Sequence, residues 1–409
     1  MNTIYIQIAS YKDVQLIPTI ESLMENAKYP ENITICIAWQ HGPEESIDKL
    51  SRYNNIKIID IPYEQSLGAC WARHQLQKKY NGEKYTLCLD SHHRFVKNWD
   101  EITISMYEQL RQSGIEKPLL TAYLPSFNPN NDPAERVMEP WKMNFDRFIP
   151  EGAVFFLPAK IENHESLTLP IPTRFVSAHF IFTAGVWNLE VPYDPNYYFH
   201  GEEINLAVRS YTHGYDLFHP HKTVCWHEYT RAGRTKQWDD DKQWHLKNNA
   251  SHLRNRKLFG MDNEKQDIDF GVYGFGKKRT LEDYEKYAGM SFSGRSIQQY
   301  TLNHNLPPNP TVENWKDSLI KRFRHCIDIH FSSIKETDYD FWCVVFKDEN
   351  DKDLYRLDAD KNEIGRLLKD PAGYCRLWRE FNCDVYPKKY VVWPHSVSKG
   401  WCNIIERNI

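Results

Sequence analysis

The sequence lacks the cysteine pattern of a zinc-binding or disulfide-rich domain. It contains nine cysteines, an odd number, and no Cys-x-x-Cys pair. Several stand singly inside apolar runs, among them Cys36, Cys70, Cys88 and Cys343. Isolated cysteines in apolar surroundings are typical of buried reduced thiols. We therefore expect neither a structural zinc site nor a disulfide framework.

Long hydrophobic runs are missing as well. No window approaches 18 apolar residues without charge, which is about the length that a membrane-spanning helix needs. Met1 leads directly into the apolar residues Ile4, Tyr5 and Ile6, without a basic stretch followed by an apolar segment. These absences predict no transmembrane segment and a cytoplasmic location.

A third absence is an excess of positive charge. The formal net charge of −4 at pH 7 provides no basic field for a nucleic-acid backbone. We therefore expect no nucleic-acid partner, and an anionic substrate must be held by a local site. The glycine motifs of P-loop and dinucleotide-binding proteins are also absent, so those nucleotide-binding classes lose their main support.

What the sequence contains is an ordinary globular composition, with 41% hydrophobic and 26% charged residues among 409. This length predicts one large enzyme domain and a smaller partner. In the first 90 residues, apolar runs typical of strands alternate with helical patterns. The predicted strands cover residues 3–10, 33–38, 56–61 and 85–89, and the predicted helices cover residues 16–27 and 68–80.

This alternation predicts an α/β fold, with a mostly parallel sheet covered by helices on both faces. Ligands bind to such sheets outside the carboxyl ends of the strands. Because the loops after the first, third and fourth strands meet at that edge, we expect Asp13, Arg73 and Asp90 to be neighbours.

The remaining sequence predicts further elements and a second domain. Strands are predicted at 153–157, 175–182, 341–347, 353–357 and 390–393, a helix at 201–211, a capping box from Thr280 to Asp283, and a linker at about 303–310. We therefore predict a catalytic domain at residues 1–300. Residues 301–409 would form the linker and a small β-containing accessory domain.

The sharpest local motif is an apolar strand that ends at Asp90, with His92 two residues later. A carboxylate oxygen and an imidazole nitrogen at this spacing suit Mn²⁺, or another divalent cation such as Mg²⁺, that bridges a diphosphate. The alternative is that Asp90 caps the next helix and that the histidines are surface residues.

Three further motifs allow both a functional and a structural interpretation. Glu202 and Glu203 follow a glycine at a predicted helix start, where the helix dipole alone stabilises acids. His227 ends an apolar run, and Arg231 follows in a glycine-containing loop that could close over a diphosphate. Arg73 lies one turn into a helix with a small-residue opening, a position that favours anions.

Taken in order, these motifs resemble the family of polypeptide α-N-acetylglucosaminyltransferases that includes cytoplasmic hydroxyproline-modifying enzymes. The resemblance spans roughly residues 1 to 290. The more distant polypeptide N-acetylgalactosaminyltransferases have a similar layout. The motifs that carry the resemblance to the N-acetylglucosaminyltransferase family are Ala9-Ser10-Tyr11-Lys12-Asp13, Gly68-Ala69-Cys70-Trp71-Ala72-Arg73, Asp90-Ser91-His92-His93-Arg94-Phe95, His200-Gly201-Glu202-Glu203 and His227.

The resemblance implies a GT-A fold, a divalent metal and a uridine diphosphate (UDP) sugar donor. It implies that Asp90, His92 and His227 bind the metal and that Glu202 and Glu203 lie beside the donor sugar. The residues expected to contact the donor are Ser10, Tyr11, Asp13, Arg73, Ser91 and Arg231.

The implied activity is transfer of N-acetylglucosamine (GlcNAc) from UDP-GlcNAc to a hydroxyl of hydroxyproline, Thr or Ser, or of a glycan. The resemblance further implies retention of anomeric configuration, with the departing diphosphate oxygen taking the acceptor proton. Glu203 stands where the galactosaminyl family has asparagine. The donor therefore stays open to N-acetylgalactosamine (GalNAc) or another hexose, and a sugar-binding module without turnover is a further alternative. The sequence names neither the acceptor nor the oligomeric state.

Overall fold

The computed structural model describes residues 2–231 and 233–409. These residues form two compact units. The first contains the chain up to residue 293 together with residues 300–313, and the second contains residues 294–299 and 314–409. The division into a catalytic and an accessory domain at residue 300 stays a prediction about function.

The first unit alternates strands and helices along its amino-terminal half, as the sequence predicts. Its elements are β1 (Ile4–Tyr11), α1 (Leu16–Asn26), β2 (Ile33–His41), β3 (Ile56–Pro62), α2 (Ala69–Gln77), β4 (Tyr85–Leu89), β5 (His93–Phe95), α3 (Trp99–Gln112), β6 (Pro118–Thr121), β7 (Trp141–Phe148), β8 (Val154–Lys160), β9 (Ile171–Pro172), β10 (Phe180–Ala184), α4 (Trp187–Glu190), α5 (Glu202–Thr212), β11 (Asp216–His219), β12 (Cys225–His227), α6 (Gln237–Asp240), α7 (Trp244–Phe259), α8 (Leu281–Ala288) and β13 (Met290–Ser291).

The main sheet has the strand order β3-β2-β1-β4-β10-β6-β11-β9. Strands β3, β2, β1 and β4 are parallel to one another, and β11 is parallel to β6. Strand β10 runs antiparallel between β4 and β6. The prediction of a mixed α/β fold with a mostly parallel sheet is therefore confirmed.

Both faces of this sheet are covered by helices, because alternate side chains of its strands point to opposite faces. On one face, Ile4 and Ile6 of β1 pack in a core with Leu23 of α1 and Met106 of α3. On the other face, Tyr5 packs with residues of α2. The five residues of β4 are all buried, which explains why the sequence there is a continuous apolar run.

Two sequence predictions differ from the structure. In the apolar stretch 175–182, only its last residues are part of a strand, β10, because Ser177 N–H bonds to Thr121 Oγ1 (2.8 Å) and Phe180 N–H bonds back to the Ser177 carbonyl. The predicted linker at about 303–310 lies within the first unit. There the buried guanidinium of Arg174 donates to the Asn305 carbonyl (2.7 Å) and to Asn309 Oδ1 (2.5 Å).

The second unit is rich in β-structure. Its elements are β14 (Ser296–Gln298), β15 (Leu319–Ile320), β16 (Arg322–His330), β17 (Tyr339–Lys347), β18 (Asp353–Arg356), β19 (Ala359–Asp360), α10 (Lys361–Leu367), β20 (Tyr374–Asn382), β21 (Lys389–Ser396), β22 (Gly400–Trp401) and β23 (Ile405–Asn408). Between β14 and β15, most of the short helix α9 (Gln299–Leu302) belongs to the first unit. Strands β16 and β20 form one antiparallel pair, and β17 and β21 are the centre of another sheet. Exposed and buried residues alternate strictly along β20, and its buried residue Leu377 packs with Trp342 of β17. Along the described residues, none of the helices has the length and apolar character that a membrane crossing requires.

Candidate active site

The carboxyl edge of the main sheet gathers most of the motifs that the sequence singles out. Strand β4 ends at Leu89, so Asp90 is the first residue beyond the buried strand. The short strand β5 follows and pairs antiparallel with β12, with His93 opposite His227. This pairing brings His227 beside Asp90, although 137 residues separate them in the sequence.

Asp90, His92 and His227 form a cluster in which one ligand atom of each lies within 4.8 Å of the others. Asp90 Oδ2 is 3.3 Å from His227 Nε2 and 3.6 Å from His92 Nε2. One carboxylate oxygen and two imidazole nitrogens are a donor set that suits Mn²⁺ and related divalent ions. Burial, together with the charge of His179, lowers the pKa of His227 well below its ordinary value. Its imidazole is therefore neutral, the form that ligates a metal.

Arg73 of α2 approaches the same carboxylate from within the protein. Its side chain is only 5% exposed, and its Nη2 donates to Asp90 Oδ1. Burial by itself would raise the pKa of the Asp90 carboxyl, but the hydrogen bond with His227 and the charge of Arg73 hold that pKa well below its ordinary value. Asp90 is thus an ionised carboxylate. The predicted proximity of Asp13, Arg73 and Asp90 is also observed, since His92 links the two aspartates.

The Asp13 carboxylate lies behind His92. Asp13 Oδ2 is 2.7 Å from His92 Nδ1, and it accepts hydrogen bonds from Ser91 Oγ (2.6 Å) and Arg234 Nη1 (3.1 Å). The side chain of Asp13 is 3% exposed. Burial would raise its pKa, but the hydrogen bonds with His92 and Ser91 and the charge of Arg234 lower it overall.

Glu202 and Glu203 are the first two residues of α5, as the sequence predicts. Glu203 Oε1 accepts hydrogen bonds from Ser177 Oγ (2.9 Å) and from the backbone N–H of Ala178 (3.0 Å). Burial, followed by the charge of Glu203, raises the pKa of Glu202 well above its ordinary value. Burial also raises the pKa of Glu203. In the described part of the chain, neither glutamate forms an ion pair with a lysine or arginine.

Three residues that the sequence predicts to contact the donor, Ser10, Tyr11 and Arg231, have partners outside this cluster. Ser10 is buried, and its carbonyl accepts a hydrogen bond from Gln40 Nε2 (3.1 Å). The Tyr11 hydroxyl donates to Asp240 Oδ2 (2.7 Å). Arg231 is exposed, and its guanidinium lies over the Trp238 ring, 5.5 Å from the centroid. Arg231 is therefore not in contact with the cluster.

Sequence reasoning missed a second layer of residues around the cluster. The ring of His179 stacks on that of His227 with a centroid distance of 4.2 Å, and Tyr229 approaches the same imidazole edge-on at 4.3 Å. His179 Nδ1 lies 2.9 Å from Ser177 Oγ, which bonds to Glu203. The sequence signal for this layer was weak, since Ser177 and His179 lie inside an apolar run.

Comparison with known proteins identifies the broad class of this arrangement. The family model described as Glycosyltransferase (GlcNAc) matches residues 3–54 and 44–294. No curated protein sequence matches the chain.

Among solved structures, the chain is similar to the crystal structure of GalNAc-T7 with UDP, GalNAc and Mn²⁺, with a TM-score of 0.50 and 13% identity. The similarity covers 69% of this chain and 54% of the GalNAc-T7 chain, so this chain matches little more than half of that protein. A similarity to S. aureus TarS 1–349 in complex with UDP-GlcNAc has a TM-score of 0.40 and 11% identity, and it covers 64% of this chain and 68% of that one. At such identities, the GalNAc-T7 likeness supports the GT-A fold and no finer property.

Proposed function

The chain belongs to the glycosyltransferase (GlcNAc) family, and on that premise we propose that it is a metal-dependent, retaining transferase that uses UDP-GlcNAc. The acceptor in this proposal is a hydroxyl of a protein, on hydroxyproline, Thr or Ser, or of a glycan. The observation that carries the proposal is the cluster of Asp90, His92 and His227 at the carboxyl end of β4. This is the edge at which parallel α/β sheets bind their ligands.

The donor set of the cluster fits a divalent cation such as Mn²⁺ or Mg²⁺. When bound, such an ion neutralises negative charge on the departing diphosphate. Asp90 supplies the anionic ligand and stays ionised beside Arg73. The GalNAc-T7 structure contains UDP, GalNAc and Mn²⁺, which are ligands of the classes proposed here.

Other residues of the chain bind and orient the donor in this proposal. The proposed contacts of the donor nucleotide are Ser10 and Tyr11 at the end of β1, Ser91 after β4, and Arg231 after β12. Arg231 would reach it through a rearrangement of its loop, since its guanidinium lies over Trp238.

Glu202 and Glu203 are the proposed contacts of the donor sugar. The charge of Asp90 contributes to raising the pKa of both carboxyls, after the larger effect of burial, so the pair and the cluster share one electrostatic environment. Hydrogen bonds from sugar hydroxyls would offset the cost of ionising two carboxyls that lack a cationic partner, and in the ionised form they would stabilise positive charge at the anomeric carbon.

The proposed reaction breaks the bond between the anomeric carbon and the diphosphate oxygen and forms one to the acceptor oxygen. The acceptor proton passes to the departing diphosphate oxygen on the same face of the sugar. The contribution of the protein is then positioning and electrostatic stabilisation of the leaving diphosphate.

The experiment that tests this proposal is slow hydrolysis of a panel of nucleotide sugars by the purified chain, with Mn²⁺ and with chelator. We expect Mn²⁺-dependent release of UDP from UDP-GlcNAc and little from the other donors. Release from UDP-GalNAc or from another UDP-hexose would replace the donor and keep the class. Binding of UDP-GlcNAc without turnover, even with peptide and glycan acceptors added, would favour a binding module. If no donor binds, the proposal is wrong.

A further inference from the structure

We infer that Asp13 is a positioning residue that orients the metal ligand His92, and that it does not contact the nucleotide. This inference rests on the proposed function, because it concerns the ligand set of the proposed metal. It assigns Asp13 a role different from the one that the sequence resemblance implies.

The first argument is that the protein itself occupies both oxygens of this carboxylate. Oδ1 accepts the backbone N–H of Gln15 (2.8 Å), an Asx-type turn before α1 begins. Oδ2 accepts from Ser91 Oγ and Arg234 Nη1, and it lies 2.7 Å from His92 Nδ1. With four partners and a side chain that is 3% exposed, Asp13 presents no face to a nucleotide.

The second argument concerns the two nitrogens of His92. His92 Nδ1 contacts two groups of opposite kind: Asp13 Oδ2, which only accepts hydrogen bonds, at 2.7 Å, and Arg234 Nη1, which only donates. Because the same Nη1 already donates to Asp13 Oδ2 (3.1 Å), the proposal places the proton of the metal-ligating imidazole on Nδ1, against the carboxylate. The lone pair is then on Nε2, the nitrogen that lies 3.6 Å from Asp90 Oδ2. A carboxylate that holds the far nitrogen of a histidine in this way fixes both the tautomer and the ring orientation that a metal requires.

The third argument is that the same network reaches the other histidine of the cluster. Arg234 donates to Asp13 through Nη1 and pairs through Nη2 with Glu228 Oε2 (2.8 Å). Glu228 directly follows His227, and its backbone N–H bonds to the His92 carbonyl (3.2 Å). Arg234 therefore connects the loop after β1, which contacts His92, with the segment that directly follows His227.

The test is Asp13→Asn in the full chain, with Mn²⁺ affinity as the main readout. Asparagine keeps an acceptor for the Gln15 N–H but turns an N–H toward His92 Nδ1. The imidazole must then accept at Nδ1 and carry its proton on Nε2, which blocks ligation. We expect Mn²⁺ to bind about 10- to 100-fold more weakly, measured by electron paramagnetic resonance of free Mn²⁺ at one fixed UDP concentration. UDP affinity in chelator should be unchanged.

The matched control is Asp100→Asn. Asp100 is 2% exposed and accepts the backbone N–H groups of Lys28 (2.8 Å) and Tyr29 (2.9 Å), so its loss also removes a buried carboxylate. We expect this variant to lose thermal stability and to keep the parental Mn²⁺ affinity. A purely structural role of Asp13 would make the two variants alike, and that result would overturn the inference.

A second measurement needs no variant. In the metal-free parent labelled with ¹⁵N-histidine, long-range proton–nitrogen spectra should identify His92 as the Nδ1–H tautomer. An Nε2–H tautomer, or parental Mn²⁺ affinity in Asp13→Asn, would overturn the inference alone and leave the proposed function intact. The same holds if Asp13→Asn weakens UDP binding in chelator, since Asp13 would then be a nucleotide contact. A parent that binds no divalent ion at all would overturn both.

Discussion

Two groups of acidic side chains in the first unit experience opposite electrostatic conditions. Asp13 and Asp90 each pair with a nearly buried arginine, Arg234 and Arg73 respectively, and the pKa of each carboxyl lies below its ordinary value. Glu202 and Glu203 are half-buried side by side at the start of α5, and the pKa of each is raised. The protein stabilises the ionised form of the two aspartates, whereas ionising the two glutamates costs free energy.

This difference separates two tasks within one site. A metal ligand set binds its ion most tightly when its charges and lone pairs are already in place. The arginines keep the two aspartates ionised, and His92 is held with one nitrogen toward the cluster. A carboxylate pair that is costly to ionise is stabilised by a ligand that brings hydroxyl donors or positive charge. Strongly perturbed acids of this kind cluster at functional sites. The contrast is open to test at each group separately.

The largest effect is expected from Asp90→Asn, which removes the anionic ligand and leaves the buried guanidinium of Arg73 without its partner. Mn²⁺-dependent release of UDP should fall by about 100- to 1,000-fold. Asp216→Asn is the matched control, because Asp216 has the same 30% side-chain exposure and pairs with Arg279 (2.8 Å) away from the cluster. Equal activity of the two variants would remove Asp90 from the site.

A smaller effect is expected from neutralising the carboxylate pair. A hydrogen bond to a charged group contributes about 1.5–3 kcal/mol, which corresponds to roughly 10- to 150-fold in kcat/KM. We expect Glu202→Gln to lose more than Glu203→Gln, because Glu203 Oε1 already accepts from Ser177 and Ala178. Donor hydrolysis by the two variants under identical conditions measures the difference. The reverse order would assign the sugar contact to Glu203.

Arg73→Gln should weaken the Mn²⁺ affinity by about 10-fold, the lower end of what the loss of a metal ligand's hydrogen-bond partner costs, and more at acid pH. Arg73 helps to hold the pKa of Asp90 below its ordinary value, so its removal allows a proton to compete with the metal for that carboxylate. Mn²⁺ affinities measured between pH 5.5 and 8 should therefore fall more steeply toward acid in the variant than in the parent. Arg279→Gln serves as the control, and a pH dependence that is parallel in Arg73→Gln and the parent would contradict the argument.

The sequence predicts the strand and helix ends that border the site better than the contacts between its side chains. Strand β4 is buried on both faces, so its apolar run and its end at Asp90 are visible in the sequence. Likewise, a glycine followed by two acids marks the start of α5. By contrast, Asp13 and His92 are 79 residues apart and Ser177 and Glu203 are 26 apart, and no local periodicity relates them.

Other features follow only from tertiary packing. His179 lies in an apolar run that resembles a strand, yet it turns into the site because Ser177 bonds to Thr121 before β10 begins. Arg231 and Arg234 look equivalent in the sequence, but Arg234 is bound to Asp13 and Glu228 while Arg231 lies over Trp238. Which charge finds which partner depends on the fold, because side chains far apart in sequence supply the partners.

The smallest effect concerns stability. In metal-free protein, the raised pKa of Glu202 means that the folded state binds its proton more tightly than the unfolded state does. Its contribution to stability is therefore present below the unfolded pKa of about 4.5 and is lost as the pH rises through the folded value. Glu202→Gln removes that loss, so at pH 8 the variant should be more stable than the parent. The difference should vanish near pH 4.

Asp90→Asn should behave in the opposite sense, destabilising the protein at pH 8, because the folded pKa of Asp90 is lowered. Calorimetric melting of both variants in chelator distinguishes the two groups, and a shift of the same sign for both at pH 8 would contradict the contrast between them.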